Sequence, residues 1–227
     1  TERLAEGRVD LFKKELRSVF RWIVWLALPI AVITFFARGY VVAFIKNGGQ
    51  PAIASVLGAL VISIFFRTLY HIMARTFYAQ QDTRTPLYIS IATISLNIVL
   101  AIIFTQLFGW GVFGLAWAQS IVSVVEIAIL LTILHVRTPG IFNRKTLRSI
   151  ITMMIASAIM GVVTYFVVQM LQLQSRDMNF MAVFPKFTVI VVVSFAVYIA
   201  LSKVFKLEEA DPIVAKLRQL LFGRVRR

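Results

Sequence analysis

The chain has 227 residues, 59% of them hydrophobic, with a mean hydropathy of +0.85 and a formal net charge of +14. Soluble domains run at about 45–50% apolar, so this excess, gathered in long runs, predicts an integral membrane protein. There is no cysteine, which excludes disulfides and thiolate-held metal.

The opening TERLAEGRVDLFKKELRSVF starts at Thr1 without a signal-peptide pattern and reads as the interior of a longer chain. Leu11, Phe12, Leu16 and Val19 oppose Lys13, Lys14 and Arg17, so residues 1–19 are expected to form an amphipathic lead-in helix on the membrane surface. A helix crosses the hydrocarbon with about 20 mostly apolar residues, and six segments qualify. The first covers 20–36 and, in its longer reading, passes Arg38 into YVVAFI. Arg21 sits at its start, where its side chain reaches the surface. Pro29 sits mid-span, where it removes one backbone hydrogen bond and is expected to kink the helix.

The second segment, 52–78, has no charge from 52 to 66 and then Arg67, His71 and Arg75 at four-residue spacing. The third is 87–107. The fourth, 112–134, carries Glu126. The fifth is 150–171 and the sixth 183–201. Short connections with turn residues separate them, among them Asn47-Gly48-Gly49-Gln50-Pro51 and Thr138-Pro139-Gly140. In Asp82-Thr83-Arg84-Thr85-Pro86, Asp82 either caps the third span or pairs with Arg84, and Pro86 suits a first helical turn. The tail 203–227 contains EEADPIVAKLRQLLFGRVRR, acids first and bases last, the order that a helix dipole favours. The expected fold is therefore all-α: a polytopic bundle of six transmembrane helices with amphipathic helices at both ends. Its parts are the lead-in 1–19, the lobe 20–202 and the basic tail 203–227.

Of the 24 lysines and arginines, nineteen fall beside connections on one side of such a bundle, four on the other, and Arg67 is left inside. The positive-inside rule places the rich side, with both chain ends, in the cytoplasm. The same count explains the high net charge by topology and removes a nucleic-acid partner. Membrane lipids are the default contact.

Arg67, His71 and Arg75 fall on one stripe, roughly 12 Å tall at about 1.5 Å per residue. An arginine in mid-membrane costs about 2.5–3.5 kcal/mol on insertion scales and faces a wet cavity or an acid. Glu126, the one acid inside a span, is at similar depth. Two readings stand for Arg67: a structural clamp with Glu126, or one wall of an anion-binding cavity. Arg75 is an interfacial anchor or part of that wall. His71 packs, carries protons or donates to a ligand. No metalloprotease, nucleophile-elbow or phosphate-loop motif is present, nor a metal-ligand cluster. Transport is favoured over catalysis, with no cofactor.

Three blocks resemble one family. ARTFYAQQDTRTPLYISIATISLNIVLAIIF (74–104) is similar to the signature of the MurJ/MviN lipid II flippases, FYA-x-x-DT-[RK]-TP followed by N-x-x-L, here Asn97 to Leu100. RWIVWLALPIAV (21–32) and FGWGVFGLAWAQSI (108–121) are similar to two more blocks, in the family's order. The resemblance implies a multidrug/oligosaccharidyl-lipid/polysaccharide-type transporter with two six-helix lobes, of which this would be the second, lacking the first as a partner. It implies alternating access in the bacterial inner membrane. The substrate would be lipid II, the undecaprenyl-diphosphate-linked disaccharide-pentapeptide, held in a cationic cavity. By position, Arg21 matches a cavity arginine and His71 a place often basic. Glu126 stands where relatives often have Asn, and Arg67 has no counterpart. Two alternatives remain: another lipid-linked oligosaccharide flippase or multidrug exporter of the superfamily, or a non-transporting membrane scaffold.

Overall fold

The computed structural model describes residues 9–45, 49–173 and 180–211. Among them are seven α-helices, a π-helical turn and no strand: α1 (Val9–Phe36), α2 (Arg38–Ile45), α3 (Pro51–Ala79), α4 (Arg84–Ile102) continued by the π-turn Ile103–Leu107, α5 (Gly111–Arg137), α6 (Arg144–Met170) and α7 (Phe180–Val204). Six of these, all except α2, are long and apolar enough to cross a membrane. The lead-in from Val9 onward does not form a helix of its own but runs straight into the first span as one 28-residue helix. That span stops at Phe36, and the apolar run beyond Ala37 is the separate α2. Residues 1–8 and 212–227, with most of the expected tail helix, lie outside the described residues.

Small and hydroxyl side chains set the closest helix contact. Helices in lipid gain little from hiding apolar surface, so close backbone approach and interhelical hydrogen bonds hold them. Between α3 and α5, Ala59 and Ser63 meet Ser120 and Ser123, all of them buried. Ser120 Oγ donates to the Ala59 carbonyl at 2.7 Å, and the Ser63 and Ser123 hydroxyls lie 3.0 Å apart. Thr164 joins α6 to Ser194 of α7 at 2.8 Å. Helix α4 leans mainly on α5 and leaves Leu87, Tyr88, Ile91 and Ile102 exposed, a surface suited to acyl chains.

At one end of the bundle, Lys13 Nζ donates to the Pro139 carbonyl at 3.1 Å, Arg137 pairs with Asp82, and Lys145 pairs with Glu208 at 2.7 Å. At the other, Tyr40 donates to the Leu171 carbonyl and Phe44 packs on Phe180 and Phe187. These are the two groups of connections into which the positive charges divide. After α7 the chain reverses. Lys206 takes a left-handed φ of 54°, and the Leu207 N–H bonds the Ser202 carbonyl at 2.9 Å, the pattern of a helix C-cap. The reversal buries Leu207, Glu209 and Ala210 against the lobe.

Candidate functional site

Arg67, His71 and Arg75 are all exposed along one face of α3, while the opposite face buries Leu69, Met73 and Phe77. The four-residue spacing thus gives the stripe that the sequence implies. Tyr70 packs its ring edge-on against His71, with centroids 5.7 Å apart.

The upper member of the stripe opens into a chamber of about 350 Å³ between α3, α4 and α5. Arg67 and Glu126 both line it. They are level: Arg67 lies twelve residues before the end of α3 and Glu126 eleven before the end of α5, and the Asp82–Arg137 pair ties those two ends together. The two charges do not pair directly. Instead Gln119 turns its amide carbonyl to Arg67, accepting from Nε at 3.1 Å and Nη2 at 2.8 Å; its NH2 then meets the Asn97 side-chain amide, 2.9 Å away, which accepts through its oxygen once turned to match. This orientation follows from the donors around it. Glu126 is buried, with 8% of its surface exposed, and accepts from Ser90 Oγ at 3.1 Å and Thr93 Oγ1 at 3.2 Å, both on Oε1. Tyr70 Oη lies 2.9 Å from Ser90 Oγ and extends the network to α3. The direct Arg67–Glu126 clamp is thus replaced by two neutral-partner networks facing each other across one space.

Arg21 is elsewhere. It faces α6 and the segment after α7, not the stripe. Its Nη1 lies 3.2 Å from Glu208 and its Nε 2.5 Å from Glu209, a charge contact without aligned hydrogen-bond geometry. A second pocket of about 420 Å³ opens there, lined among others by Lys14, Arg17 and Lys145. Lys145 also holds Glu208, and these cations keep the Glu208 carboxyl below its ordinary range, with the Lys145 hydrogen bond the largest cause.

The turn behaves as a cap. Asp82 Oδ1 accepts from the N–H groups of Arg84 at 3.1 Å and Thr85 at 3.0 Å, and Oδ2 accepts from the Thr85 hydroxyl at 2.6 Å. Its ion pair is with Arg137, not Arg84. Pro86 is buried in the first turn of α4. Pro29 lies inside an uninterrupted α1. Among the described residues, no group of three or more His, Cys, Asp or Glu side chains could hold a metal ion.

Sequence reasoning passed over Tyr70, Ser90, Thr93 and Gln119. One signal was available for Gln119: it precedes Glu126 by seven residues, two helical turns, on the same face. The others are hydroxyls of ordinary hydropathy with no such mark.

The family model "Lipid II flippase MurJ" matches residues 2–184. A protein of Thermotoga maritima named "Probable lipid II flippase MurJ" is 28% identical over 219 residues, 94% of this chain and 42% of that protein. One of the same name from Vibrio cholerae serotype O1 is 28% identical over 135 residues, 60% of this chain and 24% of that one. A solved structure of a lipid II flippase MurJ in an inward closed conformation superposes with a TM-score of 0.71 at 20% identity, covering 89% of this chain and 41% of that chain, a likeness of fold. The chain thus spans less than half the length of the relatives it matches.

Proposed function

The chain belongs to the lipid II flippase MurJ family, and we propose that it is the second lobe of a transporter that carries lipid II from the cytoplasmic to the outer leaflet of the bacterial inner membrane. The observation that carries this reading is the exposed stripe Arg67–His71–Arg75. Cations at that depth are costly unless they border water and an anionic partner. Here they stand on a face that this lobe leaves uncovered, beside an apolar groove between α1 and α3 lined by Leu26, Ile30, Ile64 and Thr68. A cationic wall next to an apolar groove suits a diphosphate head joined to a prenyl chain.

In this reading a first lobe faces the stripe, the two lobes rock about the head group, and the prenyl tail stays in the bilayer. The lobe 20–202 does the work of transport, and both chain ends are cytoplasmic, as the charge distribution favours. The stripe supplies positive field and no bond is made or broken, so the protein acts as a carrier and not a catalyst. The basic stripe argues against an exporter of cationic drugs. Arg21, neutralised by Glu208 and Glu209, is given a fastening role rather than a diphosphate contact.

The test is reconstitution of the full-length protein in vesicles loaded with fluorescent lipid II. Lipid II appearing in the opposite leaflet, and its loss on replacing Arg75 with Ala at unchanged protein level, supports the proposal. Absence of flipping by the unaltered protein ends it, and unchanged flipping without the stripe's charges removes the stripe from it.

A further inference from the structure

The chamber between α3, α4 and α5 holds two opposite charges that do not neutralise each other. A clamp meant to fasten α3 to α5 would bring them together, because the buried Glu126 carboxylate is expensive to leave without a cation while Arg67 stands exposed beside it. Those helices are already fastened by Ser120 on the Ala59 carbonyl and by Ser63 on Ser123. Each charge is instead held in place by neutral partners, with capacity left over. Arg67 spends Nε and Nη2 on Gln119 and keeps Nη1. Glu126 receives both its hydroxyl donors on Oε1 and keeps Oε2.

We propose that this chamber binds a zwitterionic α-amino-acid group, its carboxylate on Arg67 and its ammonium on Glu126. A simple anion such as phosphate would satisfy Arg67 and be repelled by Glu126; a simple cation meets the reverse. A group that is neutral overall, with its charges apart, satisfies both. The size agrees, since about 350 Å³ is at the small end of ligand sites. The rest of the lining offers the amide of Asn97 and the hydroxyl of Tyr70 for orientation and Ile94 and Ile98 for an aliphatic stem. Two sources have this chemistry: a free amino acid, or a residue in the peptide of a lipid-linked precursor whose side chain ends in its own amine and carboxylate. The second rests on the flippase proposal; the site itself does not.

The experiment measures binding of norleucine, N-acetylnorleucine and norleucinamide to the full-length protein in lipid nanodiscs by calorimetry. Norleucine is expected to bind, and each blocked form to bind about tenfold more weakly or worse, the loss of one charged hydrogen bond. Glu126→Gln should abolish the penalty for N-acetylation alone, and Arg67→Gln the penalty for amidation alone. Equal binding of all three probes to the unaltered protein, or binding of none, overturns the proposal without relying on any variant's folding. Displacement of norleucine by lipid II with a free amino-acid end, but not by its N-acetylated form, identifies the lipid-linked source; no displacement identifies the free amino acid. Norleucine binding in a protein that does not flip lipid II sinks the flippase reading alone, and flipping without norleucine binding sinks the chamber alone.

Discussion

The hydroxyl of Tyr198 donates to the backbone carbonyl of Trp25 at 3.0 Å. Trp25 is four residues before Pro29, so its carbonyl is the one that the proline leaves without a helical donor. A side chain from α7 thus supplies the hydrogen bond that α1 lacks, in a buried setting where an unmet carbonyl is costly. The two residues also pack, with ring centroids 5.4 Å apart, and Trp25 Nε1 donates to Ser202 at 3.1 Å. The proline is therefore part of the join between α1 and α7.

This makes Tyr198→Phe destabilising only while Pro29 is present. Replacing Tyr198 with Phe should cost about 1 kcal/mol, the net worth of such a bond. Pro29→Ala restores an N–H at position 29, and in that background the Tyr198→Phe penalty should shrink toward zero. Unfolding in mixed detergent micelles, arranged as a double-mutant cycle, reads the coupling. Equal penalties in both backgrounds would show that the hydroxyl serves something other than that carbonyl.

Gly114 is set by a different constraint. A Cβ there would lie 2.9 Å from Phe104 Cβ and 3.1 Å from the Phe104 carbonyl carbon and oxygen, where the π-turn abuts the first turns of α5. Backbone cannot move aside cheaply, so Gly114→Ala should cost about 1–3 kcal/mol. At Gly58 the nearest atom is Arg38 Cδ at 3.0 Å, part of a flexible chain. Gly58→Ala should therefore lower the melting temperature less than Gly114→Ala, a ranking that a thermal-shift assay checks.

The spans were legible because crossing a bilayer demands a run of apolar residues, a one-dimensional signal. The stripe was legible for the same reason, as Arg67, His71 and Arg75 break such a run at helical spacing. What surrounds them was not. Gln119 and Ser90 become partners of charges only because α3, α4 and α5 adjoin, and no local pattern states which helices do. Arg21 looked like a residue reaching for the surface because its partners, Glu208 and Glu209, lie at the far end of the chain, past a reversal that depends on a left-handed Lys206. The π-turn after Ile102 escaped notice because a one-residue change of register leaves hydropathy unaltered.

Asp82 yields a prediction about pH. The Thr85 hydroxyl, then the Thr85 N–H and then Arg137 hold its carboxyl well below the usual aspartate range. A folded-state value below the unfolded one means that the stabilisation is complete above the ordinary value of about 4 and is lost as pH falls further. Asp82→Ala should thus cost about 1 kcal/mol at neutral pH, as a lost cap does. The gap between variant and parent should hold from pH 7 to about 5 and close below about 4. Parallel denaturation series at several pH values check this, and a gap that widened in acid would assign the stability to another group.

Arg21 decides between fastening and transport. Glu209 has 4% of its side chain exposed and Arg21 12%, so removing the cation strands a buried carboxylate. Breaking such a pair from one side costs about 3–5 kcal/mol. Arg21→Ala should therefore lower abundance and melting temperature in the full-length protein, with any loss of transport following from the loss of protein. Arg21→Ala combined with Glu209→Gln should recover part of the stability, since the stranded charge is gone, while Glu208 keeps Lys145 as its partner. Thermal-shift and quantitative immunoblot measurements on the two variants decide it. If Arg21→Ala leaves abundance and melting unchanged yet stops lipid II flipping, the guanidinium acts on the substrate, and the acid pair after α7 holds it only in this conformation.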